Sequence, residues 1–108
     1  TCLRDYIHVS DLTRAHLLAL ESLLNGGGNT TFNLGNCTGY SVTQIIETAR
    51  QITGHPIPAV TASRRAGDPA ILIADSARIR KALGWQPRYE NIEDIIRSAW
   101  AWHRQEVS

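Results

Sequence analysis

The stretch Asp5-Tyr6-Ile7-His8-Val9-Ser10-Asp11-Leu12 changes character part-way along. Its first half is aromatic and β-branched, which predicts a short strand over 5–9. Ser10 or Asp11 then offers a side-chain oxygen to the first free N–H groups of a helix. Beyond it, Ala15, Leu18, Ala19 and Leu23 recur at helical spacing, predicting a helix over 12–24. Leu17, Leu20 and Leu24 widen the apolar arc, so this helix is expected to be covered on more than one side. A strand leading directly into a helix is the unit from which α/β and α+β domains are built.

The same alternation continues outward. Asn25-Gly26-Gly27-Gly28-Asn29 ends the helix. This glycine run lacks the Gly-Lys-Ser/Thr ending of a phosphate loop and follows a helix, so it reads as a surface turn. A second strand is predicted over 30–34, followed by the turn-rich link Gly35-Asn36-Cys37-Thr38-Gly39-Tyr40. Ser41 and Gln44 form a capping box, and Val42, Ile45, Ile46, Ala49 and Ile52 share one helical face. Gly54 and Pro56 stop that helix, and a third strand is predicted over 57–63. Ile71-Leu72-Ile73-Ala74 is apolar, Asp75 caps a short helix over 76–83, and Trp85-Gln86-Pro87 reads as a hinge. Asn91 caps the last helix, whose apolar face is Ile92, Ile95, Ile96, Ala99 and Trp100, with Asp94 favouring its first turn through the dipole. The expected fold is α/β (mixed α+β), with four helices and about three short strands in one unit over 1–108.

The third strand leads into Arg64-Arg65-Ala66-Gly67-Asp68-Pro69. Gly67 permits a sharp turn at positive φ, and Pro69 pushes Asp68 towards an extended backbone. A guanidinium can grip a phosphate through two parallel N–H···O bonds, and a neighbouring carboxylate can accept bonds from a sugar diol. If Arg4, at the start of the first strand, lies on the same side, Arg4, Arg65 and Asp68 together suit a ligand with a diphosphate and a sugar. The alternative for the hexapeptide is a solvated loop with an Arg–Asp ion pair.

Composition narrows the partners. The net charge of +1 supplies no field to recruit nucleic acid or an acidic membrane. Ten of the eleven basic residues are Arg, Lys81 being the exception, which suits fixed contacts. Cys2 and Cys37 are too few for a disulfide framework and match no zinc spacing. None of the four histidines has a metal-ligating partner at i+3 or i+4, and His8 reads as a packed histidine. No nucleophile elbow is present, and Tyr6 and Tyr40 are general acids by residue type only, so no catalytic or metal-binding residue is assigned. The chain contains no Met and opens Thr1-Cys2-Leu3, which suggests trimming or a piece of a longer protein.

Several motifs stand in a fixed order: Arg4-Asp5-Tyr6-Ile7-His8-Val9-x-Asp11-Leu12; Asn33-Leu34-Gly35-Asn36 with Gly39-Tyr40-Ser41-Val42; Arg64-Arg65-x-Gly67-Asp68-Pro69-Ala70; Ala74-Asp75; Leu83-Gly84-Trp85-x-Pro87; and Ala99-Trp100-x-Trp102. Across essentially the whole chain they resemble the C-terminal part of the UDP-glucose 4-epimerase family, extended short-chain dehydrogenases/reductases. The resemblance implies the small substrate-binding domain of such an enzyme. It also implies an N-terminal Rossmann domain that binds NAD and carries the catalytic Tyr-x-x-x-Lys pair, absent from this chain, so that the chain alone is expected to be inactive.

By the resemblance, Arg4 and Arg65 match arginines that bind the diphosphate of a UDP-sugar, and Asp68 matches the carboxylate that takes the ribose hydroxyls. Arg64 is peripheral, His8 and Asp11 are scaffold, and Leu72 falls near the hexose. The implied reaction interconverts UDP-glucose and UDP-galactose by hydride exchange with NAD at C4 of the sugar. The complete enzyme is expected to be a cytoplasmic homodimer, and the chain alone to self-associate. Two other readings stay open. One is part of another nucleotide-sugar epimerase, decarboxylase or dehydratase; the other is a stand-alone anion-binding or interaction module.

Overall fold

The computed structural model describes residues 2–107. Its elements are β1 (Leu3–Asp5), α1 (Val9–Leu24), β2 (Gly39–Ser41), α2 (Val42–Thr53), β3 (Ile71–Leu72), α3 (Ala77–Leu83) and α4 (Ile92–Val107). The α/β reading holds, with four helices and three strands among the described residues. No helix of the described residues is long and apolar enough to cross a membrane. The strands form one sheet in the order β2-β1-β3. β1 pairs antiparallel with β2, with Arg4 opposite Tyr40, and parallel with β3, with Arg4 opposite Leu72.

The strands are not the expected ones. β1 ends at Asp5 and α1 begins at Val9, so most of the predicted strand 5–9 links the two. Residues 30–34 and 57–63 form no strand. β-branched residues fit a pleated surface only where a neighbouring strand accepts their hydrogen bonds. Among the described residues those partners lie elsewhere, on β1.

Helix caps follow the sequence more closely. At α2, Gln44 N donates to Ser41 Oγ at 3.0 Å and Ser41 N donates to Gln44 Oε1 at 2.7 Å, completing the capping box. Glu93 N donates to Asn91 Oδ1 at 2.9 Å at the start of α4. α1 differs: its cap is His8, whose Nδ1 accepts from Ser10 N at 3.0 Å. Asp11 is occupied by more distant partners.

Trp85 is the centre of the core and no hinge. It is fully buried against Ala15 and Ile79, with Ile7, Leu18, Phe32, Leu34 and Leu83 around it. Its indole N–H donates to the backbone carbonyl of Asp11 at 2.9 Å. The Asp11 carboxylate, also fully buried, accepts from Arg88 N at 2.9 Å, Tyr89 N at 3.0 Å and Arg14 Nη1 at 3.0 Å. Asp11 thereby pins the segment leading into α4 to α1. Leu17, Leu20 and Leu24 remain exposed, so the wide apolar arc of α1 is covered on one side only.

Burial by itself pushes the Asp11 carboxyl up. The N–H groups of Arg88 and Tyr89 and the Arg14 guanidinium outweigh it, leaving the group below its ordinary 3.8. A carboxyl lowered on folding stabilises the fold fully above its ordinary value and loses that contribution as pH falls through it towards the lower folded value. Asp11→Asn replaces one acceptor oxygen by a donor and leaves an N–H of Arg88 or Tyr89 unpaired, a cost of about 1–3 kcal/mol. Thermal melts of both forms from neutral to acid pH should show the variant less stable at neutrality, with the gap closing in acid.

Candidate functional site

The turn between residues 64 and 69 is built as its sequence dictates. Gly67 has φ +85°, and Asp68 N donates to the carbonyl of Arg65 at 3.3 Å. This is the geometry of a tight turn whose third position needs positive φ. It brings Arg65 Nε within 3.1 Å of Asp68 Oδ2. The Arg65 side chain is 87 % exposed and that of Asp68 34 %, so the pair itself contributes at most ~1 kcal/mol. Among the described residues, neither Nη of Arg65 nor Oδ1 of Asp68 has another partner. The turn therefore presents an open guanidinium fork beside an open carboxylate oxygen.

Arg65 and Asp68 line one cleft of about 500 Å³, together with Arg64, Arg50, Thr43 and Cys2. Its walls are α2 and residues 59–65. Arg64 and Arg50 are cleft residues that the sequence reading set aside or passed over. Arg50 lies on α2 in ordinary sequence, where only its position facing Pro56 and Ile57 reveals it. Arg4 is not among the lining residues, and its Nη1 donates to the carbonyl of Leu3 at 2.8 Å. It nevertheless lies close by: β1 and β3 are parallel, Arg4 is the direct neighbour of Leu72, and Leu3 N donates to Ala70 O at 2.9 Å. Paired residues of neighbouring strands share a face, so Tyr40, Arg4 and Leu72 stand side by side. At most about 14 Å of extended chain separates Asp68 from Leu72.

β3 and the link before β2 are held by Asp5. Its Oδ1 accepts from Asn36 N at 2.9 Å, and its Oδ2 from Cys37 N at 3.1 Å and Ala74 N at 3.2 Å. Gly35 is required beside it, because a Cβ there would collide with the Asp5 carboxylate and approach Ala74 Cβ to 2.9 Å.

One pair imitates a catalytic dyad. His8 Nε2 lies 2.8 Å from Ser98 Oγ. However, His8 Nδ1 accepts from Ser10, which puts the ring proton on Nε2, and Ser98 Oγ donates its own hydrogen to Ile95 O at 2.9 Å. His8 therefore donates to Ser98 and takes no proton from it; the pair is a tie between α1 and α4. His8 is only 7 % exposed, as the packed reading expects.

The chain's relatives fit this architecture. Residues 1–35 match the model of the NAD dependent epimerase/dehydratase family. The UDP-glucose 4-epimerase of Halalkalibacterium halodurans is 53 % identical over 97 % of this chain, which covers 31 % of that protein. A crystal structure of a UDP-glucose 4-epimerase superposes on the whole chain with TM-score 0.93 and 52 % identity, the chain covering 33 % of it. The UDP-glucose 4-epimerase of Bifidobacterium longum, solved in complex with NAD+ and UDP, matches 97 % of this chain with TM-score 0.85 and 37 % identity, over 31 % of its own length. The similarity is to members of the NAD dependent epimerase/dehydratase family, whose model matches the first third of the chain. Within it, the similarity is to the UDP-glucose 4-epimerases, and the chain spans about a third of their length.

Because the Arg65–Asp68 pair is solvated, it contributes little to the stability of the fold. Arg65→Ala and Asp68→Asn should each leave the ligand-free thermal midpoint close to that of the parent, within about 0.5 kcal/mol of stability. A scanning melt of each variant checks this.

Proposed function

We propose that this chain is the C-terminal, UDP-sugar-binding part of an NAD-dependent UDP-glucose 4-epimerase, with the NAD-binding Rossmann domain and the catalytic Tyr/Lys pair in a segment outside it. The observation that carries this reading is the open Arg65 fork and the open Asp68 oxygen on one cleft, one strand away from Arg4. Arg65 and Arg4 take the diphosphate and Asp68 the ribose hydroxyls. Gripping the unreactive nucleotide fixes where the hexose lies, and such positioning lowers the barrier of a step carried out by other groups. NAD, held elsewhere in the complete enzyme, supplies the hydride chemistry at C4 of the sugar. None of the residues described here is assigned to that chemistry.

The same reading makes the complete enzyme a cytoplasmic homodimer of galactose metabolism. It is supported within the chain by free thiols at Cys2 and Cys37 and by a one-sided apolar helix that a further domain would cover.

In the complete enzyme, Arg65→Ala should weaken UDP binding by roughly 1.5–3 kcal/mol, the scale of hydrogen bonds to a charged group. Arg65→Lys should recover only part, because an ammonium cannot form the fork. Asp68→Asn should weaken UDP while sparing inorganic pyrophosphate, since the lost contact is to ribose. Calorimetric titration measures all three, and unchanged UDP affinity in Arg65→Ala would defeat the assignment. The isolated chain should turn over no UDP-galactose. Its exposed Leu17, Leu20 and Leu24 should bind an apolar dye and promote self-association.

A further inference from the structure

Residues 59–65 form one wall of the cleft, and the strap 57–65 that contains them belongs to no strand. Almost all of them are exposed, Val60 at 94 %. Among the described residues no hydrogen bond ties 58–64 to the rest of the chain. The strap that ends in Arg64 and Arg65 is instead held at its start, by a single side chain. Arg50, in the last turn of α2, donates through Nε to Pro56 O at 2.9 Å and through Nη2 to Ile57 O at 2.8 Å. Ile57 has φ +39°, a conformation that β-branched residues rarely adopt. That torsion turns two successive carbonyls towards one planar guanidinium, which is suited to holding both.

We infer that Arg50 is a positioning residue for ligand binding: its guanidinium clamps the Pro56 and Ile57 carbonyls to α2 and so holds the strap at the distance from α2 that makes the cleft. This rests on the reading of that cleft as the nucleotide-sugar site. A strap fixed before the ligand arrives loses less conformational freedom on binding than a loose one. Arg50 earns no affinity through contact; it sets where Arg64 and Arg65 stand.

The test uses the complete enzyme, with UDP as probe and Arg65→Ala as reference. Arg50→Ala should bind UDP about tenfold more weakly, the loss of a preorganised element. Trypsin should cut after Arg64 or Arg65 several-fold faster in that variant, with cleavage elsewhere and the thermal midpoint nearly unchanged. Arg50→Lys, which keeps the charge and one or two donors, should fall between the variant and the parent on both readouts, and serves alone if Arg50→Ala does not fold. Weaker binding without faster cleavage overturns the inference, since Arg50 would then touch the ligand directly. Unchanged binding in Arg50→Ala, with binding weakened in Arg65→Ala, overturns it as well. Unchanged binding in Arg65→Ala instead removes the nucleotide-sugar reading on which it rests. A general loss of stability in Arg50→Lys, with cleavage throughout, makes Arg50 an ordinary structural residue and also overturns it.

Discussion

The buried carboxylate of Asp11 is the constraint on which the rest of the chain depends. A carboxylate cut off from water is costly unless its lone pairs are taken up. Asp11 meets this with two backbone N–H groups from Arg88 and Tyr89 and a guanidinium from Arg14. The two N–H groups come from distant sequence, so satisfying the charge closes the chain. The indole N–H of Trp85, bound to the Asp11 carbonyl, fixes the largest core side chain to the same residue. A packed interior is formed although few of its side chains are fully buried, because the polar tie and the Trp85 cluster occupy the same place.

Asp5 repeats the device on the other side of the link. Its two oxygens accept three backbone N–H groups, from Asn36, Cys37 and Ala74. The first two lie in the link before β2, and Ala74 follows β3. A three-residue β1 and a two-residue β3 make few ladder bonds. The carboxylate supplies the missing ties, and Gly35 lets the backbone approach it. Order therefore passes from Asp5 to β3, and from β3 to the turn holding Arg65 and Asp68.

How far this is legible in the sequence follows from the range of each interaction. The capping box at Ser41 and Gln44, the Asn91 cap and the positive φ at Gly67 are local, and all can be read directly. The cap of α1 is misread because Ser10 and Asp11 look equally suitable, whereas Asp11 is drawn away by Arg88 and Tyr89 and His8 takes the role. The strands expected over 30–34 and 57–63 fail for the same kind of reason: β-propensity says nothing about whether a neighbour exists. Trp85, preceded by Gly84 and followed two residues on by Pro87, has the local signature of a hinge, and only the tertiary fold reveals it as the core. Of the candidate site, Arg65 and Asp68 are legible because one turn holds both. Their relation to Arg4 depends on the parallel pairing of β1 with β3, and Arg50 faces the strap only once α2 and the strap are in place.

Asp5, Asp11 and Asp68 all stand in the chain's ordered motifs, and their hydrogen-bonding capacity separates them. Asp5 and Asp11 each have both oxygens occupied by backbone N–H groups, which cannot be given up without unfolding a link. Among the described residues, Asp68 has one oxygen on an exposed guanidinium and the other without a partner, and the terminal nitrogens of that guanidinium have none either. A ligand can complete such a pair without breaking anything the fold needs. The two kinds of carboxylate are alike in charge and in residue type. What divides structural clasp from binding group is whether the folded chain has already used the lone pairs, and at the 64–69 turn it has left them open beside a cleft wide enough to use them.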